Sequence, residues 1–126
     1  MSDILALAER FVAAIEAGDL EAVRACYAPD ARIWHNTDGA EQGVEENLKV
    51  LAWMARKLPG RRYRIARREA LSDGFVQQHV LEAALPGGKA WSMAACLVVR
   101  VAGGRITRLD EYMDSAAVTE LMAAVG

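Results

Sequence analysis

Three turn signals in the second half of the chain, Ser72-Asp73-Gly74, Pro86-Gly87-Gly88 and Gly103-Gly104, cut it into β-type runs over about 61–70, 74–84, 89–102 and 104–114. Glycine reaches the backbone conformations that reverse a strand within two or three residues, so this spacing predicts successive hairpins. Strands joined so tightly must pair antiparallel, because parallel pairing needs a long crossover. Upstream the apolar period changes from two to about 3.6. Ile4, Leu7, Ala8, Phe11, Val12 and Ile15 form one helical stripe over 3–17, with Ser2 as N-cap and Gly18 as C-cap. A short helix over about 19–26 begins on Asp19 and carries Leu20, Val23 and Cys26. Pro29-Asp30 reads as a turn, Ala31 to Asn36 as a short strand and Thr37-Asp38-Gly39 as a loop. A third helix over about 43–58 aligns Val44, Leu48, Leu51, Ala52, Ala55 and Leu58 and stops at Pro59-Gly60, and the tail over 115–124 is weakly helical. Three helices followed by a four-strand meander predict an α+β fold, a curved antiparallel sheet with helices packed on one face.

One domain, 1–126, suits the length. Apolar residues make up 53% of the chain, slightly above the globular norm, which calls for a large core or an apolar cavity. A net charge of −2 gives no electrostatic footprint for nucleic acid. The basic run Arg61-Arg62-Tyr63-Arg64 with Arg67-Arg68 reads as a solvated strand and turn. Cys26 and Cys96 lie in apolar surroundings without metal or redox spacing, as buried reduced thiols do. The start, Met1-Ser2-Asp3-Ile4-Leu5, lacks a basic n-region, and no apolar run approaches the roughly 18–20 residues a membrane helix needs. The expectation is a soluble cytoplasmic protein that partners neither nucleic acid nor membrane.

Few residues can carry chemistry. Alternation splits the strand over 31–36 into Arg32, Trp34 and Asn36 on one side and Ala31, Ile33 and His35 on the other. Ile33 is the purest core residue, which turns His35 inward and leaves Trp34 on the rim. In the next histidine-bearing strand Phe75, Gln77, His79 and Leu81 form the more apolar face, which puts Gln77 and His79 in or near any cavity. Imidazole exchanges protons near neutrality without special tuning. Each histidine also has a plain structural reading, His35 as a hydrogen-bonded strand end and His79 as a satisfied core residue. Glu111 alternates with Asp110 and Tyr112 on the last strand; in an apolar cavity its carboxyl could act as acid or base, or it could simply pair with Arg108 or Arg32. Trp53, Met54, Trp91 and Met93 at helix and strand spacing read as core or cavity wall, suited to a flat apolar ligand. No metal-ligand spacing, phosphate loop or reactive-cysteine setting is visible, so neither a metal nor a cofactor is expected.

Gly18-Asp19-Leu20 leading into Tyr27-Ala28-Pro29-Asp30-Ala31-Arg32-Ile33-Trp34-His35-Asn36, together with Gly104-Arg105-Ile106-Thr107-Arg108-Leu109-Asp110-Glu111-Tyr112-Met113-Asp114, resembles the nuclear-transport-factor-2-like superfamily over nearly the whole chain. Within it the likeness is to the SnoaL-like, ketosteroid-isomerase-like and limonene-epoxide-hydrolase-like branch. That resemblance implies a cystatin-like cone, an apolar pocket between sheet and helices, and homodimers through the sheet's outer face. It implies a small hydrophobic, polycyclic or terpenoid-like ligand, handled by an isomerase, cyclase or hydrolase, or held by a non-catalytic binding or dimerisation module.

By the epoxide-hydrolase pattern Trp34 and Asn36 fall where a water is held, Glu111 where an acid sits deep in the cavity, and Tyr112 and Asp114 at the tyrosine and last aspartate. By the isomerase pattern His35 falls at the catalytic base. Alternation and spacing together with these parallels nominate His35, His79 and Glu111 as catalytic candidates, with Trp34, Asn36, Gln77, Phe11, Trp53, Met93 and Tyr112 around the substrate. The departures are equally specific. Gln78 and Val80 replace an Arg-x-Asp pair, which disfavours epoxide hydrolysis. Phe11 replaces an oxyanion-donor tyrosine and Ala95-Cys96 a second acid, which disfavours steroid isomerisation.

Overall fold

A computed structural model describes residues 3–125. In chain order the elements are α1 (Asp3–Ala17), α2 (Leu20–Cys26), β1 (Tyr27–His35), β2 (Glu41–Gln42), α3 (Val44–Lys57), β3 (Arg62–Leu71), β4 (Gly74–Ala84), β5 (Ala90–Ala102), β6 (Arg105–Met113) and α4 (Ser115–Val125). The expected N-cap Ser2 lies outside the described residues. Gly18 closes α1 in the left-handed conformation at φ +70°, with Gly18 N–H donating to Ile15 O and Asp19 N–H to Ala14 O. Asp19 then opens α2, its Oδ1 accepting from Ala22 N–H at 3.1 Å.

The sheet is curved and has six strands in the order β2-β1-β6-β5-β4-β3. The β3–β6 meander is antiparallel as its turns predict, and Gly103 and Gly104, both at positive φ, form the last reversal. The purely antiparallel expectation fails at β1, which runs parallel to β6. The physical reason is connectivity: α3 and the meander intervene between these strands, a span long enough for a crossover. Two strands therefore interleave with the three leading helices, and the weak tail is a fourth helix.

Pro29-Asp30 is not a turn. β1 runs through it from Tyr27, and its register with β6 is irregular between Tyr27 and Arg32, where proline's missing N–H costs no regular ladder bond.

The main core joins α1 and α2 to the concave face through Leu7, Phe11, Val23, Ile33, Phe75 and Ile106. A second cluster gathers Leu58, Leu81, Leu85, Trp91, Met93 and Leu121, and Trp91 Nε1 donates to Ala117 O at 3.0 Å to dock α4. The basic run is not wholly solvated. Arg61 is buried with its guanidinium donating to Ile15 O at the C-terminal end of α1, where a cation complements the helix dipole, and Arg68 is half-buried.

Candidate functional site

Between the two clusters the concave face and α3 leave a cavity of about 260 Å³. Its walls are mostly apolar, with Phe11, Leu51, Met54, Met93, Leu97 and Leu109 among them. Exposed Thr37, Asp38 and Val50 bound its mouth. Leu51, expected on a buried stripe of α3, is only half-buried because α3 covers the cavity rather than a solid core.

Register brings the polar groups together. His35 on β1 pairs with Glu111 on β6, Glu111 with Leu97 on β5, Leu97 with Gln77 on β4, and Gln77 with Arg68 on β3. One row across the sheet thus carries four polar residues, and His79 lies two residues along β4 from Gln77, on the same face. His35 Nε2 stands 3.2 Å from Glu111 Oε1. Burial alone would lower the His35 pKa, but the hydrogen bond and charge of Glu111, with Asp38 adding, raise it above the ordinary histidine value. His79 moves the other way: burial lowers its pKa, the charge of Glu111 opposes this in part, and Arg68 adds to the lowering.

A second polar pair faces the cavity from the helical side. Tyr27 Oη donates to Asn47 Oδ1 at 2.8 Å, and both side chains are buried. Tyr63 lines the wall nearby, edge-on to the His79 ring at 5.0 Å between centroids. Burial pushes the phenols of Tyr27 and Tyr63 far above the ordinary tyrosine value, so both stay protonated.

Of the residues expected at the site, His35, His79, Glu111, Phe11, Gln77 and Met93 line this one cavity. Four others do not. Trp34 turns outward and packs edge-on against Tyr112, with 5.2 Å between ring centroids and 61° between planes. Tyr112 is half exposed on that outer face. Alternation is the reason: with Ile33 and Leu109 inward, Trp34 and Tyr112 must point out. Asn36 clamps the sheet instead, its Nδ2 donating to Met113 O at 3.1 Å and its Oδ1 accepting from Met113 N–H at 2.8 Å. Trp53 packs against the second core cluster. The arginines considered as partners of Glu111 are engaged elsewhere, Arg108 with Glu41 and Asp110, and Arg32 with Glu41.

Several lining residues escaped the sequence reading although signals existed. Asn47 sits three residues after Val44 and four before Leu51, a polar residue on the apolar stripe of α3. Tyr27 shares the parity of Ala31, Ile33 and His35. Arg68 faces Gln77 because the two-residue turn at Ser72-Asp73 fixes the β3–β4 register. Among the described residues no cluster of three or more His, Cys, Asp or Glu side chains is placed to hold a metal ion. Nor is any described helix long and apolar enough to cross a membrane.

A family model for a SnoaL-like domain matches residues 8–109. An uncharacterized protein of Mycobacterium tuberculosis is 34% identical over 122 residues, spanning 92% of each chain. Among solved structures, an NTF2-like protein of unknown function from Burkholderia pseudomallei superimposes with a TM-score of 0.85 at 20% identity, covering 98% of this chain and all of that one. IdmH of Streptomyces antibioticus, described as a candidate polyketide cyclase, gives a TM-score of 0.82 at 20% identity, covering 93% and 96% of the two chains.

Proposed function

Because this chain belongs to the SnoaL-like domain family, we propose that its cavity carries out cofactor-independent acid/base chemistry on a small hydrophobic, polycyclic or terpenoid-like molecule. The observation that carries this reading is the convergence of the His35–Glu111 pair and His79 on one mostly apolar cavity. In the proposed reaction the His35–Glu111 pair takes a proton from the substrate and returns it. Exclusion of bulk water strengthens the interactions of such a pair. His79 and Gln77 hold a polar substituent, while Phe11, Leu97 and Met93 grip the apolar body. The cyclase description of IdmH makes intramolecular ring closure the first reaction to try.

The test is turnover of a panel of polycyclic and terpenoid ketones by the full chain and by His35→Gln and Glu111→Gln. Loss of general acid/base catalysis predicts a rate reduction of about 10²–10⁴ in each variant. Unchanged turnover in both would sink the reading. A second reading, a non-catalytic binder of the same ligand class, is favoured by Phe11. It stands where the isomerase pattern needs a hydroxyl donor, and it packs edge-on against Tyr27 at 5.5 Å. Ligand binding without turnover would select it.

We also propose that two copies pair through the outer sheet face, where Trp34, Tyr112 and Val98 offer apolar surface. A cytoplasmic setting is proposed as well; the free cysteines Cys26 and Cys96 accord with it.

A further inference from the structure

His79 is the one buried imidazole of the cavity wall, 2% exposed, and its two nitrogens have different surroundings. Nδ1 lies 2.9 Å from Gln77 Nε2, whereas Nε2 is sealed from solvent and has no hydrogen-bond partner among the described residues. The other end of the Gln77 amide is held by Arg68, whose Nε donates to Gln77 Oε1 at 2.8 Å. A guanidinium can only donate, so the Gln77 atom facing it must be the carbonyl oxygen. The opposite end is then the NH2 group, which also can only donate. His79 Nδ1 must therefore accept, and in the neutral ring the proton is left on Nε2. Protonating Nδ1 would bring two donors face to face.

We infer that Arg68, acting through Gln77, is a positioning residue that fixes His79 as an Nε2–H donor, so that the cavity selects apolar molecules presenting a carbonyl-type oxygen acceptor. The ligand clause rests on the cavity reading proposed above; the relay itself does not. Charged groups around His79 come from two strands, Arg68 on β3 and Glu111 on β6, with the neutral phenol of Tyr63 also against the ring.

The relay is tested on the full chain labelled with 15N-histidine, by long-range 1H–15N correlation spectra; with only two histidines, a His35→Gln spectrum assigns them. The wild type is expected to show a neutral His79 with a protonated Nε2 and a bare Nδ1. Arg68→Met should free the Gln77 amide to turn, so that Nδ1 gains proton occupancy and His79 titrates at higher pH. Arg68→Lys, which keeps a donor and a charge, should restore the wild-type pattern. Gln77→Glu should reverse the tautomer by offering an acceptor to Nδ1–H. An Nδ1–H wild type overturns the relay, and so does an Arg68→Met protein whose spectra and titration superimpose on the wild type.

For the ligand clause, fluorenone is compared with fluorene by equilibrium binding. The wild type should prefer the ketone by about tenfold, as one hydrogen bond predicts, and Arg68→Met should lose that preference. Equal binding by the wild type overturns the ligand class. Expected spectra with no turnover of any ketone overturn the acid/base function and leave the relay standing.

Discussion

His35 and His79 share a concave face and respond to it in opposite ways. His35 has a carboxyl partner that raises its pKa against the effect of burial; His79 is buried with an arginine behind it, and its pKa is lowered. A raised folded pKa contributes stability that is complete below the unfolded value of 6.5 and is lost as pH climbs through the folded value. A lowered histidine pKa costs stability as pH falls below 6.5, where the unfolded chain binds the extra proton. The two histidines thus pull in opposite directions, His35 favouring the folded state toward acid pH and His79 toward alkaline pH. Glu111→Gln removes the group that raises His35, so urea unfolding of that variant across pH 5–8 should lose the decline on the alkaline side and fall more steeply on the acid side. An unchanged profile would count against the His35–Glu111 pair. Tyr27→Phe tests the helical side of the cavity. It leaves Asn47 Oδ1 buried without its donor, so a loss of about 1–3 kcal/mol in unfolding free energy is expected.

At the scale of elements, the β4–β5 hairpin carries Gln77 and His79, and its packing depends on one glycine. A Cβ on Gly74 would lie 1.8 Å from Val99 O and 2.8 Å from Val99 C, both backbone atoms of β5 that cannot swing aside. Gly74→Ala is therefore expected to cost about 3 kcal/mol, read by thermal or urea unfolding, and a neutral result would mean the strands can part without penalty. At the other side of the sheet the Asn36 clamp on Met113 ties the end of β1 to the end of β6. His35 is the residue just before that clamp and Glu111 lies two before Met113, so it helps set the 3.2 Å contact between them. That role differs from the water-binding one expected of Asn36, because its side chain is spent on backbone groups.

For the molecule as a whole, the helices cover one face of the sheet and the other face remains open. Trp34, Tyr112 and Val98 lie on that open side, and the two aromatics pack on each other. If two copies pair there, Tyr112→Arg should convert the dimer to a monomer in sedimentation velocity while leaving far-UV circular dichroism unchanged, since Tyr112 is 49% exposed within one chain. A wild-type monomer would remove the pairing proposal without touching the cavity on the opposite face.

Local signals in the chain were enough for the helices, the β3–β6 meander and the inward face of β4. Capping residues, turn glycines and alternation act over a few residues and need no knowledge of the rest. The same alternation put His35, Gln77 and His79 inward and left Trp34 outward; the place of Glu111 in the cavity came from resemblance, as did the transfer of Trp34 and Tyr112 to the ligand, which does not match their orientation here. Tertiary structure alone decided that β1 lies parallel to β6, because the pairing joins segments about 75 residues apart in sequence and no local pattern encodes it. From that pairing comes the meeting of His35 with Glu111, and from the register of distant strands comes the single row that ends at Arg68. Residue types determine which groups can exchange a proton; only the folded sheet determines which of them face each other.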